Sequence, residues 1–115
     1  MKLPNREKAI VAREKVVDYL LSFVHKDGRA KAEFFIRFGF TSENWEVLAD
    51  ALKSHADEHE IKKQEVSPFG MRYIIEGGLA APDGQKPKVR AVWFAENETA
   101  IPRLATAYPM KGKRE

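Results

Sequence analysis

MRYIIEGGLAAPDGQKPKVRAVWFAE, residues 71–96, is the stretch from which the fold is read. At its centre, Pro82-Asp83-Gly84-Gln85 is a hairpin signal. Proline presets one turn dihedral, aspartate bonds its own backbone two residues on, and glycine accepts positive φ. Met71 to Ala80 reads as one strand and Lys88 to Glu96 as its partner. In the returning strand Val89, Ala91 and Trp93 share one face, and Arg90, Val92 and Phe94 the other. Gly77-Gly78 inside the first strand marks a bulge or a close backbone approach. Outward from this pair, Lys62 to Val66 reads as a short strand ended by the turn Ser67-Pro68-Phe69-Gly70, and Ile101 to Tyr108 as the last strand.

Before residue 60 the period is helical. Leu3-Pro4-Asn5 reads as an extended arm and Ala9-Ile10-Val11 as a short strand. From Ala12, Val16, Val17, Leu20 and Leu21 recur at helical spacing, until Val24 to Gly28 breaks the pattern. A second helix follows, with Asp27 as N-cap, Ala30, Phe34 and Phe38 on one stripe and Gly39 as the stop. A third starts after Thr41 on the stripe Trp45, Leu48, Ala49, Leu52, Ala56. The expectation is an α+β domain: three N-terminal helices, then an antiparallel sheet of about four strands. It occupies residues 1–109, with 110–115 as a flexible basic tail.

At 115 residues the chain has room for one core and not two. Its 32% of charged residues, against about 25% in an ordinary domain, points to a well-charged surface, and its apolar runs of only a few residues are too short for a membrane span. The first residues alternate charges (Lys2, Arg6, Glu7, Lys8) without an apolar run, so no secretory leader is expected and the cytoplasm is the expected compartment. The absence of cysteine excludes disulfides, thiol catalysis and thiolate zinc sites. Charge is unevenly distributed: residues 1–31 carry a net +4, 32–66 a net −4 and 67–115 a net +3. Two basic ends brought together by the fold would attract a polyanion such as RNA.

Two constellations bear on chemistry. His55-Ala56-Asp57-Glu58-His59 has the H-x-x-E-H spacing of inverted zinc peptidases, and histidines four apart share a helix face. A catalytic zinc needs a third ligand held in a cleft, and this segment reads as the acidic, solvent-facing tail of the third helix, so no metal site is assigned. His25 stands at the helix break beside Gly28, Arg29 and Lys31. A histidine next to fixed cations suits phosphodiester chemistry, where it takes a proton while Lys and Arg hold the phosphate. The structural alternative is a helix C-cap, with His25 bonding the last carbonyls of the first helix. Arg72, Arg90 and Arg103 are candidates to converge on one sheet face.

The ordered blocks Leu3-Pro4-Asn5, Lys8-Ala9-Ile10-Val11, Tyr19-Leu20-Leu21, His25-x-x-Gly28-x-x-Lys31-Ala32-x-Phe34-Phe35, Gly39-Phe40-Thr41, Asn44-Trp45, Gly70-x-x-Tyr73 and Thr106-Ala107-Tyr108-Pro109 resemble a bacterial family of small uncharacterised proteins. Related modules of that family occur at the C-termini of large secreted polymorphic-toxin proteins. The resemblance spans residues 3–109, and its members carry proline after the block's histidine, where this chain has Lys26. The order of elements is similar to the metal-independent RNase superfamily of barnase, RelE and the tRNase colicins, an analogy of fold.

What the resemblance implies is a toxin-like ribonuclease that needs no cofactor. His25, Lys31, Thr106 and Tyr108, which lie in the matching blocks, would be its catalytic set; outside the resemblance, Arg90 is added from strand alternation and Arg29 from the helix break as phosphate-binding residues. His25 would deprotonate a ribose 2′-hydroxyl, Lys31 and Arg90 would stabilise the phosphorane, and Thr106 or Tyr108 would bond a phosphoryl oxygen. RNA and a small cognate antitoxin or immunity-like protein are the implied partners. The alternative is a non-catalytic module that binds nucleic acid or protein, with His25 and Lys31 merely shaping the helix break.

Overall fold

The hairpin over residues 71–96 forms in unbroken antiparallel register, from Gly78 opposite Lys88 to Met71 opposite Ala95. Its turn closes as its residues demand. The Ala81 N–H donates to the Gln85 carbonyl at 3.0 Å, and the Asp83 carboxylate accepts the Gln85 N–H at 2.9 Å. In the computed structural model, which describes residues 1–110, this pair is the centre of a four-stranded sheet. The strands β1 (Ile61–Ser67), β2 (Gly70–Gly78), β3 (Lys88–Ala95) and β4 (Arg103–Pro109) lie side by side in chain order, all antiparallel. A 3-10 turn (Arg6–Lys8) and three helical segments precede them. The helical segments are α1 (Arg13–Lys15), which runs on as a π turn over Val16–Leu20, then α2 (Arg29–Arg37) and α3 (Trp45–Glu58). The architecture is therefore the expected α+β arrangement, helices first and antiparallel sheet after. Of the expected basic tail, only Met110 is within the described residues, and its N–H donates to the Lys88 carbonyl at 3.1 Å.

Alternation along the strands assigns the two faces. Tyr73, Ile75, Val89, Ala91 and Trp93 are buried on the inner face. They pack with Leu48, Leu52 and Ala56 of α3, Val16 and Leu20 of the π turn, and Phe35 of α2. Arg72, Ile74, Glu76, Arg90 and Phe94 take the outer face, as the period of two requires. The stop of α2 is built from its sequence. Gly39 adopts φ 105°, the Phe40 N–H reaches back to the Phe35 carbonyl at 3.2 Å, and the two phenyl rings meet at 6.0 Å. Among the described residues no helix is long and apolar enough to cross a membrane.

Four readings are corrected. Asp27 does not cap α2: the N-cap position is Gly28, which has no side chain to offer. Ala9-Ile10-Val11 makes a single parallel bridge, Ile10 to Arg103, in place of a strand. Leu3-Pro4-Asn5 is a turn and not an extended arm, with Asn5 at φ 58°, its amide donating to the carbonyls of Thr99 and Ala100 at 3.1 and 3.2 Å, and Leu3 fully buried. Finally, the end of α3 is not a solvated tail. His55 is 0% exposed and lies on the buried stripe with Leu48, Leu52 and Ala56.

The H-x-x-E-H histidines are instead the joint between α3 and the sheet. His55 Nε2–H donates to the carbonyls of Gly77 (3.2 Å) and Val89 (3.1 Å), and His59 Nε2–H to that of Gly78 (3.0 Å). This explains the glycine pair in β2: a Cβ on Gly77 would lie 2.6 Å from the His59 ring. Of the two alternatives for Gly77-Gly78, the close approach is the one realised.

Burial first, and the charge of His59 second, push the His55 imidazole below its ordinary value of 6.5. The folded state then resists a proton that the unfolded chain accepts as pH falls through 6.5. Stability from this group is present above that pH and lost below it, at about 1.4 kcal/mol per pH unit until the lower folded value is reached. Denaturant titrations of the wild type are expected to show stability falling from pH 7 to pH 5. His55→Gln, which retains a donor, is expected to flatten that slope.

Candidate functional site

The break between α1 and α2 is organised by Ser22, whose hydroxyl oxygen accepts the N–H groups of Val24 (3.3 Å) and His25 (3.2 Å). The chain then folds back over the π turn so closely that a Cβ on Gly28 would stand 2.0 Å from the Tyr19 carbonyl oxygen. Gly28 has φ −96°, which any residue adopts, so what it supplies is clearance and not an unusual dihedral. The consequence is placement. His25 arrives edge-on against Tyr19, ring centroids 4.9 Å apart. Within the first turn of α2, Lys31 sets its ammonium 5.3 Å from the Tyr19 ring centroid and 5.9 Å from that of Tyr108, while donating to the Asp27 carbonyl at 3.0 Å.

The sheet supplies the other half. Tyr19 and Thr106 share a hydroxyl–hydroxyl hydrogen bond of 2.9 Å. Tyr108, two residues on, stands opposite Arg90 in the β3–β4 register, and Arg90 lies opposite Glu76 in the β2–β3 register. Arg90 grips one Glu76 carboxylate oxygen with Nε and Nη2, each at 2.7 Å, and its guanidinium carbon is 5.8 Å from the Tyr108 ring centroid. Tyr108 first, then Glu76, raise the Arg90 pKa further, so this group stays cationic.

Of the six residues named from the sequence, His25, Lys31 and Thr106 contact Tyr19, and Lys31 links them to Tyr108, beside which Arg90 stands. Arg29 does not join them. It is exposed, and its guanidinium makes a long contact of 3.5 Å to the Phe23 carbonyl. The arginine convergence holds in register, with Arg72 and Arg103 both opposite Phe94 on the outer face that carries Arg90. Tyr19 is the residue sequence reasoning passed over. Its one signal was membership of the Tyr19-Leu20-Leu21 block, since nothing in the periodicity announces a π turn. Lys15, 5.2 Å from the same ring centroid, and Glu76 were also missed.

His25 is not a helix C-cap. Its Nδ1 accepts the Asp27 N–H at 3.0 Å, which places the proton of the neutral ring on Nε2. In that form the imidazole offers a donor and has no free lone pair. Among the described residues no three His, Asp or Glu side chains gather as a metal site.

Two concavities open from this cluster and share Arg90 and Tyr108. One, of about 320 Å³, runs along Pro109 and Met110. The other, of about 440 Å³, crosses the outer face of the sheet toward Arg72 and Lys63.

Residues 2–111 match the model of a domain of unknown function, DUF6883. The chain belongs to the DUF6883 family. No functionally curated protein matches it in sequence. Among solved structures, a chain of a contact-dependent growth inhibition toxin–immunity protein complex from Klebsiella pneumoniae 342 is similar, with a TM-score of 0.71 and 17% identity over 88% of this chain and 99% of that one. At that identity the likeness is one of fold. The DUF6883 match spans every residue of the Tyr19 cluster.

Gly28→Ala forces a methyl group against the Tyr19 carbonyl oxygen. It is expected to cost about 1–3 kcal/mol in denaturant unfolding, the range for overpacking a close contact. Ala30→Gly, one residue into α2, is expected to cost no more than about 1 kcal/mol.

Proposed function

We propose that this DUF6883 chain is a toxin-like, metal-independent ribonuclease whose site is the cluster around Tyr19. The observation that carries the reading is that Lys31, from the helical layer, and Arg90, from the sheet, flank the one ring of Tyr108 at 5.9 and 5.8 Å. Two cations beside one half-buried phenol offer a seat for a phosphodiester, with Thr106, two residues along the strand, bonded to Tyr19. In the reaction the ribose 2′-oxygen attacks phosphorus as its proton leaves to a base. The bond from phosphorus to the 5′-oxygen breaks, that oxygen takes a proton, and a 2′,3′-cyclic phosphate remains. Lys31 and Arg90 neutralise the charge that accumulates on the phosphoryl oxygens, and Thr106 or Tyr108 donates to one of them.

His25 is assigned the proton transfer, with one requirement. To accept a proton at Nδ1 it must first release the Asp27 N–H, a local bond at the protein surface. Substrate binding that turns the ring would free it; in the closed form its Nε2–H only donates to a phosphoryl oxygen. The similar chain from a toxin–immunity complex supports a cognate immunity-like partner for this one. The second reading is the non-catalytic binding module. It is favoured by that same Asp27 contact and by the pairing of Arg90 with Glu76.

Purified protein incubated with total RNA in EDTA is expected to cleave it and leave 2′,3′-cyclic phosphate ends. His25→Ala is expected to lower the rate by about 10²–10⁴, the contribution of a positioned acid–base group. Lys31→Ala is expected to lower it by about 10²–10³, that of a charge-stabilising donor. RNA binding without cleavage, unchanged in His25→Ala, would transfer the assignment to the binding module.

A further inference from the structure

The larger concavity is not used by the chemistry described above, although it begins at two of its residues. It crosses the outer face of the sheet from Tyr108 on β4, past Arg90 on β3 and Glu76 and Arg72 on β2, to Lys63 on β1. Its floor is Ile74, half-buried and paired in register with Lys63 on one side and Val92 on the other. At about 440 Å³ it is the size of a small-ligand pocket. The β3-to-β1 distance is two strand spacings, about 10 Å.

We infer that this groove seats the nucleotide adjoining the phosphate held by Lys31 and Arg90, and that the substrate enters it as a single strand crossing the sheet. The inference rests on the proposed ribonuclease reading and extends it from a reacting phosphate to a substrate class. Three observations support it. The groove is continuous with the phosphate seat through Arg90 and Tyr108, so a strand bound there has a direct path into it. Its far wall carries cations: Arg72 and Lys63 both lie within ion-pair reach of Glu65, at 3.3 and 3.4 Å. Its middle is apolar, with half-buried Ile74 between the charged walls. Cationic walls around an apolar floor suit a nucleotide, whose phosphate takes the wall and whose base takes the floor. A groove of this size seats one base, which a single strand presents without the cost of leaving a duplex stack, so the single strand is favoured.

Glu65 sets the strength of the seat. Its carboxylate holds Arg72 and Lys63 in exposed pairs, which are weak and readily exchanged for a phosphate. Loss of that carboxylate would leave both cations to the strand.

The test uses a short 2′-O-methyl oligonucleotide, which has no 2′-hydroxyl to attack, with binding read by fluorescence anisotropy against salt. The single strand is expected to bind and its duplex to bind at least tenfold more weakly. The double variant Lys63→Ala/Arg72→Ala is expected to make the slope of log K against log salt shallower by about 1.4, the ion release of two single-strand phosphates. Glu65→Gln is expected to bind about threefold more tightly, by removing repulsion at the phosphate. That gain cannot arise from misfolding. Equal affinity for duplex overturns the inference, as does binding that neither variant alters. Capture of polyglutamate in place of the oligonucleotide also overturns it and makes the groove a seat for an acidic protein. The two proposals fail separately. Strand binding with these responses but no cleavage of the corresponding RNA removes the enzyme and retains the groove, whereas cleavage indifferent to both variants does the reverse.

Discussion

The hydrogen bond between the Tyr19 and Thr106 hydroxyls, 2.9 Å long, joins two layers that have little else polar in common at that point. Tyr19 belongs to the helical layer and Thr106 to the sheet, 87 residues later. Everything in the candidate site is arranged around this contact. His25 stands on the Tyr19 ring by an edge contact, Lys31 reaches across it, and Tyr108 is two residues from Thr106. The bond is possible because the backbone over Val16–Leu20 takes a π turn, closed by the Leu21 N–H on the Val16 carbonyl at 2.8 Å. An extra residue in a helical turn rotates the side chains that follow it, and such turns concentrate at functional sites. Gly28 completes the constraint by letting the next segment pass directly over the Tyr19 carbonyl.

Because the site is assembled from both layers, its parts differed in how far they could be read in advance. The sheet was legible to within two residues at every strand end. Alternation in Val89 to Phe94 and the turn residues at 82–85 are local signals, and tertiary packing reinforces them. The fold order and the Gly39 stop were legible for the same reason. His55 was not, because its burial depends on where β2 and β3 end, and helical spacing alone does not distinguish a histidine on the apolar stripe from one beside it. The Asp27 cap failed on a single residue of phase, which is within the ordinary uncertainty of helix ends. Tyr19 was hidden for a stricter reason. Its role follows from a π turn and a partner 87 residues away, and neither leaves a mark in local periodicity.

The charge distribution follows a similar course. The basic ends of the chain do approach one another, since Lys31 and Arg90 flank Tyr108. The acidic middle is not wholly turned away, however. It contributes Glu65 to the sheet face, and β2 adds Glu76 within 2.7 Å of Arg90. A bare basic cleft would bind any polyanion through its field alone. Cations held by carboxylates are positioned but partly neutralised, so a ligand must supply good geometry as well as charge to displace the internal partner. On the outer face, charge is therefore tied to geometry and is not a bare field.

The three histidines show how far environment, and not residue type, decides chemistry here. His55 is buried, donates to two carbonyls and is held neutral by its surroundings, so it is structural although its spacing imitates a metal ligand. His59 repeats that role on the next carbonyl. His25 alone is exposed, and it touches an aromatic ring that is itself bonded into the sheet. Its single polar restraint is a contact two residues away in the chain, broken by a side-chain rotation that disturbs nothing in the core. The proton transfer proposed for His25 would need that combination of a fixed ring neighbour and a removable hydrogen bond. The motif histidines lack it, because freeing their nitrogens would expose sheet carbonyls that have been taken out of water.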